Sequence, residues 1–204
     1  VSLLHGVTDS GKTEIYMRAI EKALELSKTA IVLVPEIALT AQTVQRFSSR
    51  FENLAVMHSA LTGSQRNAQW QKIKDGQANV VVGARSAIFA PLCDLGLVVV
   101  DEEHEPSFKQ QNAPRYHARD LAVKRAQLEE AVVVMGSATP SLESYQNALA
   151  SRYQLSQMPK RIGNIPLPRV RIVDMKEEFA EQKAFVFFSR RLLKEMKRIL
   201  ADRK

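Results

Sequence analysis

The stretch GVTDSGKT at residues 6–13 constrains the fold more than any other part of this chain. It has the frame G-x-x-x-x-G-K-T, follows the apolar run VSLLH at residues 1–5 and precedes a helical pattern that continues to about Leu26. A strand that leads through such a loop into a helix is the context in which this frame binds phosphate groups with backbone N–H groups. The first 26 residues are therefore predicted to form a strand, a phosphate-binding loop and a helix.

Short apolar runs alternate with helical patterns as far as residue 150. Apolar strands of this kind are buried on both faces in parallel sheets that helices cover. The predicted strands are residues 1–5, 29–34, 54–58, 79–84, 95–100 and 131–136, and the predicted helices after the first are 40–51, 64–76, 117–128 and 141–150. The predicted fold class is α/β, with a mainly parallel sheet and helices on both of its faces.

Composition limits the class of partner and the compartment. The chain has 204 residues, one cysteine (Cys93) and a formal net charge of +7. One cysteine excludes an internal disulfide and a cysteine-rich zinc site, and it favours a reducing cytoplasm. No apolar run is long enough for a bilayer, and no secretory signal is visible. The positive charge favours a polyanion such as nucleic acid, although a basic protein without such a partner would show the same excess.

Residue types within the loop predict separate roles. Lys12 is expected to contact the β- and γ-phosphates, and the Thr13 hydroxyl is expected to bind magnesium. Gly6 and Gly11 allow close approaches that a Cβ would obstruct. Asp9 places a carboxylate in a loop for a polyanion, but only its N–H needs to face the ligand, and aspartate tolerates left-handed backbone angles. The alternative is a chance match in a glycine-containing turn.

A second motif, LVVVDEEHEP at residues 97–106, ends an apolar strand with ionisable side chains. The carboxyl end of a buried parallel strand lies at the crevice where open α/β sheets bind ligands. Asp101 is predicted to bind magnesium, and Glu102 is predicted to orient or polarise the attacking water. His104 has no second histidine at ligand spacing, so a coupling hydrogen bond is favoured over metal binding or a surface position. The alternative for the whole motif is a solvated acidic loop.

The order of the motifs along the chain carries a family resemblance. The stretches GVTDSGKT, VLVPEIALTAQT, VVGARSAIFAP, VVVDEEH and MGSATPS resemble, in this order, the first motor lobe of superfamily 2 DNA helicases, a RecA-like P-loop domain. PEIALT, GARSAIFAP, DEEHEPSFKQQ, RYHARDLA and GSATPSLES are closer still to the PriA family, the primosomal helicases of bacterial replication restart. The resemblance covers about residues 3–149, with weaker matches at 171–175 and 188–193.

The resemblance implies ATP and Mg²⁺ as ligands, and it assigns roles by position. It assigns ATP and magnesium binding to Thr8, Ser10, Gly11, Lys12 and Thr13. Asp101 would be the metal-binding acid and Glu102 the catalytic acid. Ser137, Ala138 and Thr139 would couple hydrolysis to DNA movement. It places Pro35, Glu36, Thr40, Arg85 and Ser86 in segments along the path of a single DNA strand. A DNA phosphate also suits Arg85 chemically. The alternative for Arg85 is a surface residue or an intramolecular ion pair.

The segment PSFKQQNAPRYHARD at residues 106–120 looks like the aromatic-rich loop that follows the acidic motif in this family. Phe108 and Tyr116 would then stack on bases, and the basic side chains would contact phosphates. These basic residues are Lys109, Arg115 and Arg119. The alternative is that the two aromatic side chains pack the loop onto the lobe.

The domain limits follow from the resemblance and from composition. Residues 1–158 are expected to form the first helicase lobe, and residues 159–188 a linker that is extended over 159–182. Residues 189–204 are expected to form the first helix of a truncated second lobe, with Ser189 as its cap and one apolar face that needs a partner surface. The arginine finger, the far wall of the DNA groove and the family's zinc-binding cysteines are expected in a C-terminal part outside this sequence.

The predicted function is that of the ATP-binding lobe of a 3′-to-5′ DNA helicase, which acts on single-stranded and forked DNA in primosome assembly and replication restart. Other primosome proteins and single-strand-binding protein are the expected partners, without a membrane, in the bacterial cytosol at the nucleoid. Two alternatives are the lobe of another superfamily 2 translocase and a nucleotide- and DNA-binding module without turnover. A GTPase is disfavoured because the sequence has no N-K-x-D motif.

Overall fold

The computed structural model describes residues 1–164, 170–182 and 186–202, which belong to two compact units, residues 1–165 and 166–204. The strands of the first unit are β1 (Ser2–Gly6), β2 (Thr29–Leu33), β3 (Leu54–Met57), β4 (Val80–Gly83), β5 (Leu95–Asp101), β6 (Lys109–Gln110), β7 (Tyr116–His117), β8 (Val132–Ser137) and β9 (Gln154–Met158). Its α-helices are α1 (Lys12–Glu25), α2 (Ala41–Ser48), α3 (Gly63–Lys74), α4 (Ala118–Leu128) and α5 (Leu142–Leu149).

Seven of these strands form one parallel sheet in the order β3–β4–β2–β5–β8–β1–β9. Alternate residues of each strand belong to different core clusters. Val80 and Val82 pack with α1 and α2 on one face, whereas Val81 packs with α3, α4 and α5 on the other. Burial on both faces explains why the strands are continuous apolar runs in the sequence. The predicted parallel α/β fold, with helices on both faces, is confirmed.

Side-chain caps begin three helices of the first unit, and a glycine follows the end of one of them. Thr62 caps α3 in a reciprocal arrangement with the side chain of Gln65, and the turn after this helix contains Gly76 at φ 71°. Thr40 and Ser141 cap α2 and α5 by accepting hydrogen bonds from the N–H groups three residues later. Each such cap stabilises its helix by about 1 kcal/mol.

The sequence analysis missed two β elements. The edge strand β9 pairs with β1, and its QLSQM sequence is half polar because much of it is exposed to solvent. The strands β6 and β7 form an antiparallel hairpin with only two residues on each side. Neither element has the buried apolar run from which the other strands were predicted.

The second unit contains α6 (Met175–Gln182) and α7 (Arg190–Ala201). The prediction of an extended chain is wrong for residues 175–182, because MKEEFAEQ is rich in helix formers and Asp174 accepts a hydrogen bond from the Lys176 N–H. Ser189 caps α7 as expected. The apolar side chains of α7 are 40–67% exposed. Parts of the predicted linker and last helix lie outside the described residues, namely 165–169, 183–185 and 203–204. The predicted domain limits stay a prediction.

None of the helices in the described ranges is long and apolar enough to cross a membrane.

Candidate active site

The loop between β1 and α1 has the backbone of a phosphate-binding cradle. Asp9 has φ 61° and Gly11 has φ 93°, both left-handed. A Cβ on Gly6 would lie 2.6 Å from Ser10 Oγ, so a larger residue at this position would force the Ser10 side chain to move. Asp9 itself is exposed, which leaves its carboxylate free to point to solvent while the loop keeps its shape.

The loop and the start of α1 offer hydrogen-bond donors to a ligand. Within the described part of the chain, no side chain caps the start of α1, so its first N–H groups have no side-chain acceptor there. The positive end of the helix dipole also lies at the loop. The Ser10 hydroxyl oxygen is buried and has no hydrogen-bond partner among the residues that the structure describes. Lys12 Nζ donates a hydrogen bond to the Gly6 carbonyl at 2.9 Å. These groups suit an anion such as a phosphate.

The acidic motif stands beside this loop, at the carboxyl end of β5. Asp101 Oδ1 accepts hydrogen bonds from the Tyr16 hydroxyl at 2.9 Å and from the Glu102 N–H at 3.1 Å. Tyr16 reaches it from α1 by passing over β8 at Gly136, where a Cβ would overlap the tyrosine hydroxyl. Sequence reasoning missed both Tyr16 and Gly136, which hold the predicted metal ligand in place.

Burial and the neighbouring polar and charged groups together determine the pKa of the Asp101 carboxyl. Burial raises the pKa of its carboxyl above the ordinary value, and the hydrogen bond from Tyr16 counteracts that rise. The Glu102 carboxylate raises this pKa further, whereas Lys12 lowers it. Burial also raises the pKa of Tyr16, so its hydroxyl stays protonated and acts as the donor. A cation near Asp101 would lower this pKa, because it favours the charged carboxylate.

Glu102 and Lys12 face the same cleft from different elements. Glu102 Oε1 lies 3.9 Å from Lys12 Nζ, and the Glu102 side chain is 35% exposed. The cleft has a volume of about 800 Å³, within the range of roughly 300–1,000 Å³ that is usual for small-molecule sites. Its lining combines the loop and the start of α1, residues at and after the end of α2, the acidic motif and one residue after β9: Thr8, Asp9, Ser10, Gly11, Lys12, Thr13, Glu14, Met17, Arg46, Ser49, Arg50, Asp101, Glu102 and Ile162.

The oxygen ligands at this cleft fit magnesium. Thr13 and Asp101 both line the cleft. No group of three or more His, Cys, Asp or Glu side chains able to hold a metal occurs within the described residues. Magnesium commonly takes one or two protein oxygens and completes its shell with substrate phosphates and water. The residues present therefore fit magnesium that is bound together with a polyphosphate.

His104 connects the acidic motif to the end of β8. One of its ring nitrogens, Nδ1, lies 2.7 Å from Ser137 Oγ and 3.7 Å from a Glu102 carboxylate oxygen, and Nε2 lies 3.4 Å from Thr139 Oγ1. The Thr139 N–H in turn donates to Ser137 Oγ at 2.9 Å. Ala138, between them, is half-buried. His104 thus lies between Glu102 and two of the predicted coupling residues, Ser137 and Thr139.

Glu103 is a buried charge that the sequence analysis did not single out. Its side chain is 0% exposed, and its carboxylate accepts hydrogen bonds from the Ser141 N–H and hydroxyl and from the Ser144 hydroxyl, at 2.6–3.0 Å. Arg119 Nη1 completes the network at 3.2 Å. Complete pairing makes a buried carboxylate tolerable. The network fastens the acidic motif to the start of α5.

A second cleft, of about 420 Å³, lies at the carboxyl ends of β3 and β4. It is lined by Glu36, Met57, His58, Ser59, Arg66, Trp70, Ala84, Arg85, Ser86, Phe89, Gln110 and Tyr116. Tyr116 meets the half-exposed Phe89 edge to face, with ring centroids 5.1 Å apart. Arg85 Nη1 donates to the carbonyls of Ser107 and Lys109, both at 3.3 Å. The second cleft therefore presents a guanidinium group and two aromatic rings in one lining.

The DEAD/DEAH box helicase family matches residues 2–148. The chain belongs to this family. It is 52% identical over 188 residues to the replication restart protein PriA of Bacillus subtilis (strain 168), covering 92% of this chain and 23% of that protein. It is 46% identical over 196 residues to PriA of Chlamydia pneumoniae, covering 95% of this chain and 26% of that protein. The chain thus spans about a quarter of the length of these curated relatives, and the predicted resemblance to PriA is confirmed.

Solved structures support the fold. RecG bound to a three-way DNA junction matches with a TM-score of 0.56 and 23% identity, over 89% of this chain and 24% of RecG. The Hef helicase domain of Pyrococcus furiosus also has a TM-score of 0.56, at 18% identity, over 80% of this chain and 36% of that helicase-domain chain. These neighbours have the RecA-like helicase domain, so the predicted fold class is confirmed.

The structure separates the predicted DNA-contacting residues into two groups. Arg85, Ser86 and Tyr116 line the second cleft, and Lys109 and Arg115 lie with Tyr116 around an adjacent cleft. The other group lies outside the linings of both clefts: Pro35 is buried, Thr40 caps α2 and Arg119 donates a hydrogen bond to Glu103. Phe108 is 1% exposed within the core on the α4 side, which supports the packing alternative for this residue.

Proposed function

We propose that this chain is the ATP-binding lobe of a DNA helicase motor. One observation carries the proposal: Lys12 from the glycine loop and Glu102 from the end of β5 face one cleft, with Asp101 beside them. ATP is the nucleotide proposed for this cleft. Phosphoryl transfer mainly requires positioning and charge neutralisation, and these side chains are of the types that supply both.

Each residue at the cleft has a proposed part in hydrolysis. The loop N–H groups and Lys12 bind the phosphates, and Thr13 and Asp101 hold magnesium, which supplies charge neutralisation at the phosphate oxygens when bound. Glu102 orients the attacking water and accepts its proton. Tyr16 keeps the Asp101 carboxylate in position through its hydrogen bond. His104 carries the state of this site to Ser137 and Thr139.

DNA is the partner proposed for the second cleft. Arg85 contacts a phosphate of the strand, and Tyr116 with Phe89 offers aromatic surface to a base. The net charge of +7 supports a polyanionic partner. Lys109 and Arg115 extend the basic surface along the hairpin.

For the full-length protein we propose replication restart as the process, because several curated relatives are replication restart proteins named PriA. The proposal includes 3′-to-5′ movement, single-stranded and forked DNA as substrates, primosome proteins and single-strand-binding protein as partners, and the bacterial cytosol at the nucleoid as location. A second lobe outside this sequence would supply the arginine finger and the zinc-binding cysteines.

A Lys12→Ala variant of the full-length protein is expected to bind magnesium–ATP about 10- to 100-fold more weakly. The variant loses charge-assisted hydrogen bonds to phosphate, which stabilise a complex by about 1.5–3 kcal/mol. Isothermal titration calorimetry measures this, with Lys74→Ala as control, since Lys74 is exposed on α3 and does not line the cleft. Equal affinities of Lys12→Ala and the unaltered protein would refute the phosphate-binding role.

A Tyr116→Ala variant is expected to bind single-stranded DNA about tenfold more weakly and to hydrolyse ATP normally without DNA. A base stacked on an aromatic ring contributes about 1–3 kcal/mol. Fluorescence anisotropy with a labelled oligonucleotide measures the affinity, and Tyr116→Phe, which keeps the ring, should retain it. If Tyr116→Ala binds DNA as tightly as Tyr116→Phe does, the second cleft is not the DNA site.

A further inference from the structure

The last residue of β9 and the short segment after it are hydrogen-bonded to the phosphate-binding loop. The Val7 N–H donates to the Met158 carbonyl at 3.2 Å, and the Ile162 N–H donates to the Asp9 carbonyl at 2.9 Å. The two hydrogen bonds tie residues 158–162, the strap, to both the start and the middle of the loop. The strap therefore keeps its place relative to any group that the loop holds.

The side chain of Ile162 lies directly on the loop and yet faces solvent. A Cβ built on Gly11 would be 3.2 Å from Ile162 Cδ1, so this side chain touches the glycine. Ile162 is nevertheless 67% exposed, and it lines the cleft together with Lys12 and Glu102. Most of the cleft is lined by polar and charged residues, so an exposed isoleucine on its rim offers apolar surface where a ligand could cover it.

The strand order gives the direction in which a nucleotide would lie. Glu102 and Asp101 stand at the end of β5, and the sheet continues β5–β8–β1–β9. A nucleoside triphosphate with its terminal phosphate near Glu102 and its other phosphates along Lys12 and Gly11 must extend away from β5. Its nucleoside end then lies on the β9 side of the loop, where the strap carries Ile162.

We propose that Ile162 contacts the nucleoside end of the bound nucleotide and gives its sugar and base an apolar surface. The inference rests on the proposed ATP-binding function of the same cleft. Covering much of one exposed isoleucine removes apolar area from water, which stabilises a complex. The contact adds affinity for the nucleoside and none for the phosphates.

Titrations with two ligands separate the nucleoside contact from the phosphate contacts. The full-length protein and its Ile162→Ala variant are titrated with magnesium–ATP and with magnesium–tripolyphosphate, which lacks the nucleoside. Ile162→Ala is expected to weaken ATP binding about tenfold and to leave tripolyphosphate binding unchanged. Leu149→Ala is the matched control, since Leu149 is 61% exposed on α5, outside the cleft lining, and this variant should bind both ligands normally.

The other outcomes overturn the inference in distinguishable ways. Unchanged ATP affinity in Ile162→Ala removes the contact but leaves the proposed function intact. An equal loss for both ligands means that Ile162 only supports the shape of the loop. If the unaltered protein binds neither ligand, the proposed ATP-binding function fails together with the inference.

Discussion

A Glu102→Gln variant of the full-length protein is expected to bind magnesium–ATP as tightly as the unaltered protein and to hydrolyse it about 10²- to 10⁴-fold more slowly. Glutamine has nearly the same shape as glutamate but cannot accept a proton from water. Glu102 is suited to this role because its carboxylate is partly exposed in the cleft, 3.9 Å from Lys12 Nζ. Removing its negative charge should not weaken the binding of a polyanion.

Steady-state phosphate release and nucleotide titration measure the two properties of Glu102→Gln separately. Glu105→Gln is the control, because Glu105 belongs to the same acidic motif but does not line the cleft. It should retain hydrolysis. Normal turnover in Glu102→Gln would remove this residue from the catalytic step, and a parallel loss of ATP binding would assign it to ligand binding instead.

A Glu103→Ala variant is expected to lose about 3–5 kcal/mol of its free energy of unfolding. The substitution leaves the Arg119 guanidinium, whose side chain is 13% exposed, and the donors of Ser141 and Ser144 without their shared acceptor. A buried polar group without a hydrogen-bond partner destabilises the folded state by its full desolvation free energy. Because the network fastens the acidic motif to α5, the loss should also disturb the position of Glu102.

Denaturant unfolding followed by circular dichroism measures the effect of Glu103→Ala. Glu129→Ala is the control: Glu129 also accepts an arginine hydrogen bond, from Arg125 at 2.7 Å, but its side chain is 34% exposed. A more exposed pair of this kind contributes about 0–1 kcal/mol. Equal losses in the two variants would show that the buried network does not hold this part of the lobe together.

Sequence reasoning succeeded where local residue types determine the structure. The buried strands are continuous valine-rich runs, and burial on both faces requires such runs. Asp9 takes a left-handed backbone angle, as its residue type and loop position allow. Ser189 caps α7 as predicted. In each case the relevant information lies within a few residues of the chain.

Long-range pairing accounts for what the sequence did not reveal. Phe108 looks like a base-stacking residue by its neighbours, but the core on the α4 side covers it. Arg119 looks like a phosphate contact, but its partner Glu103 is 16 residues earlier in the chain. Tyr16 reaches Asp101 across 85 residues, over a glycine that no local pattern connects with it. Tertiary contacts therefore decide which charged and aromatic residues stay available to ligands.

We propose that the cleft between the loop and the acidic motif is an ATPase site that serves movement on DNA. The most direct test measures ATP hydrolysis by the full-length protein in magnesium buffer, with and without single-stranded DNA. The account predicts hydrolysis that single-stranded DNA strongly stimulates. ATP binding with no turnover, or with turnover that DNA does not change, would contradict the motor and leave a nucleotide-binding module.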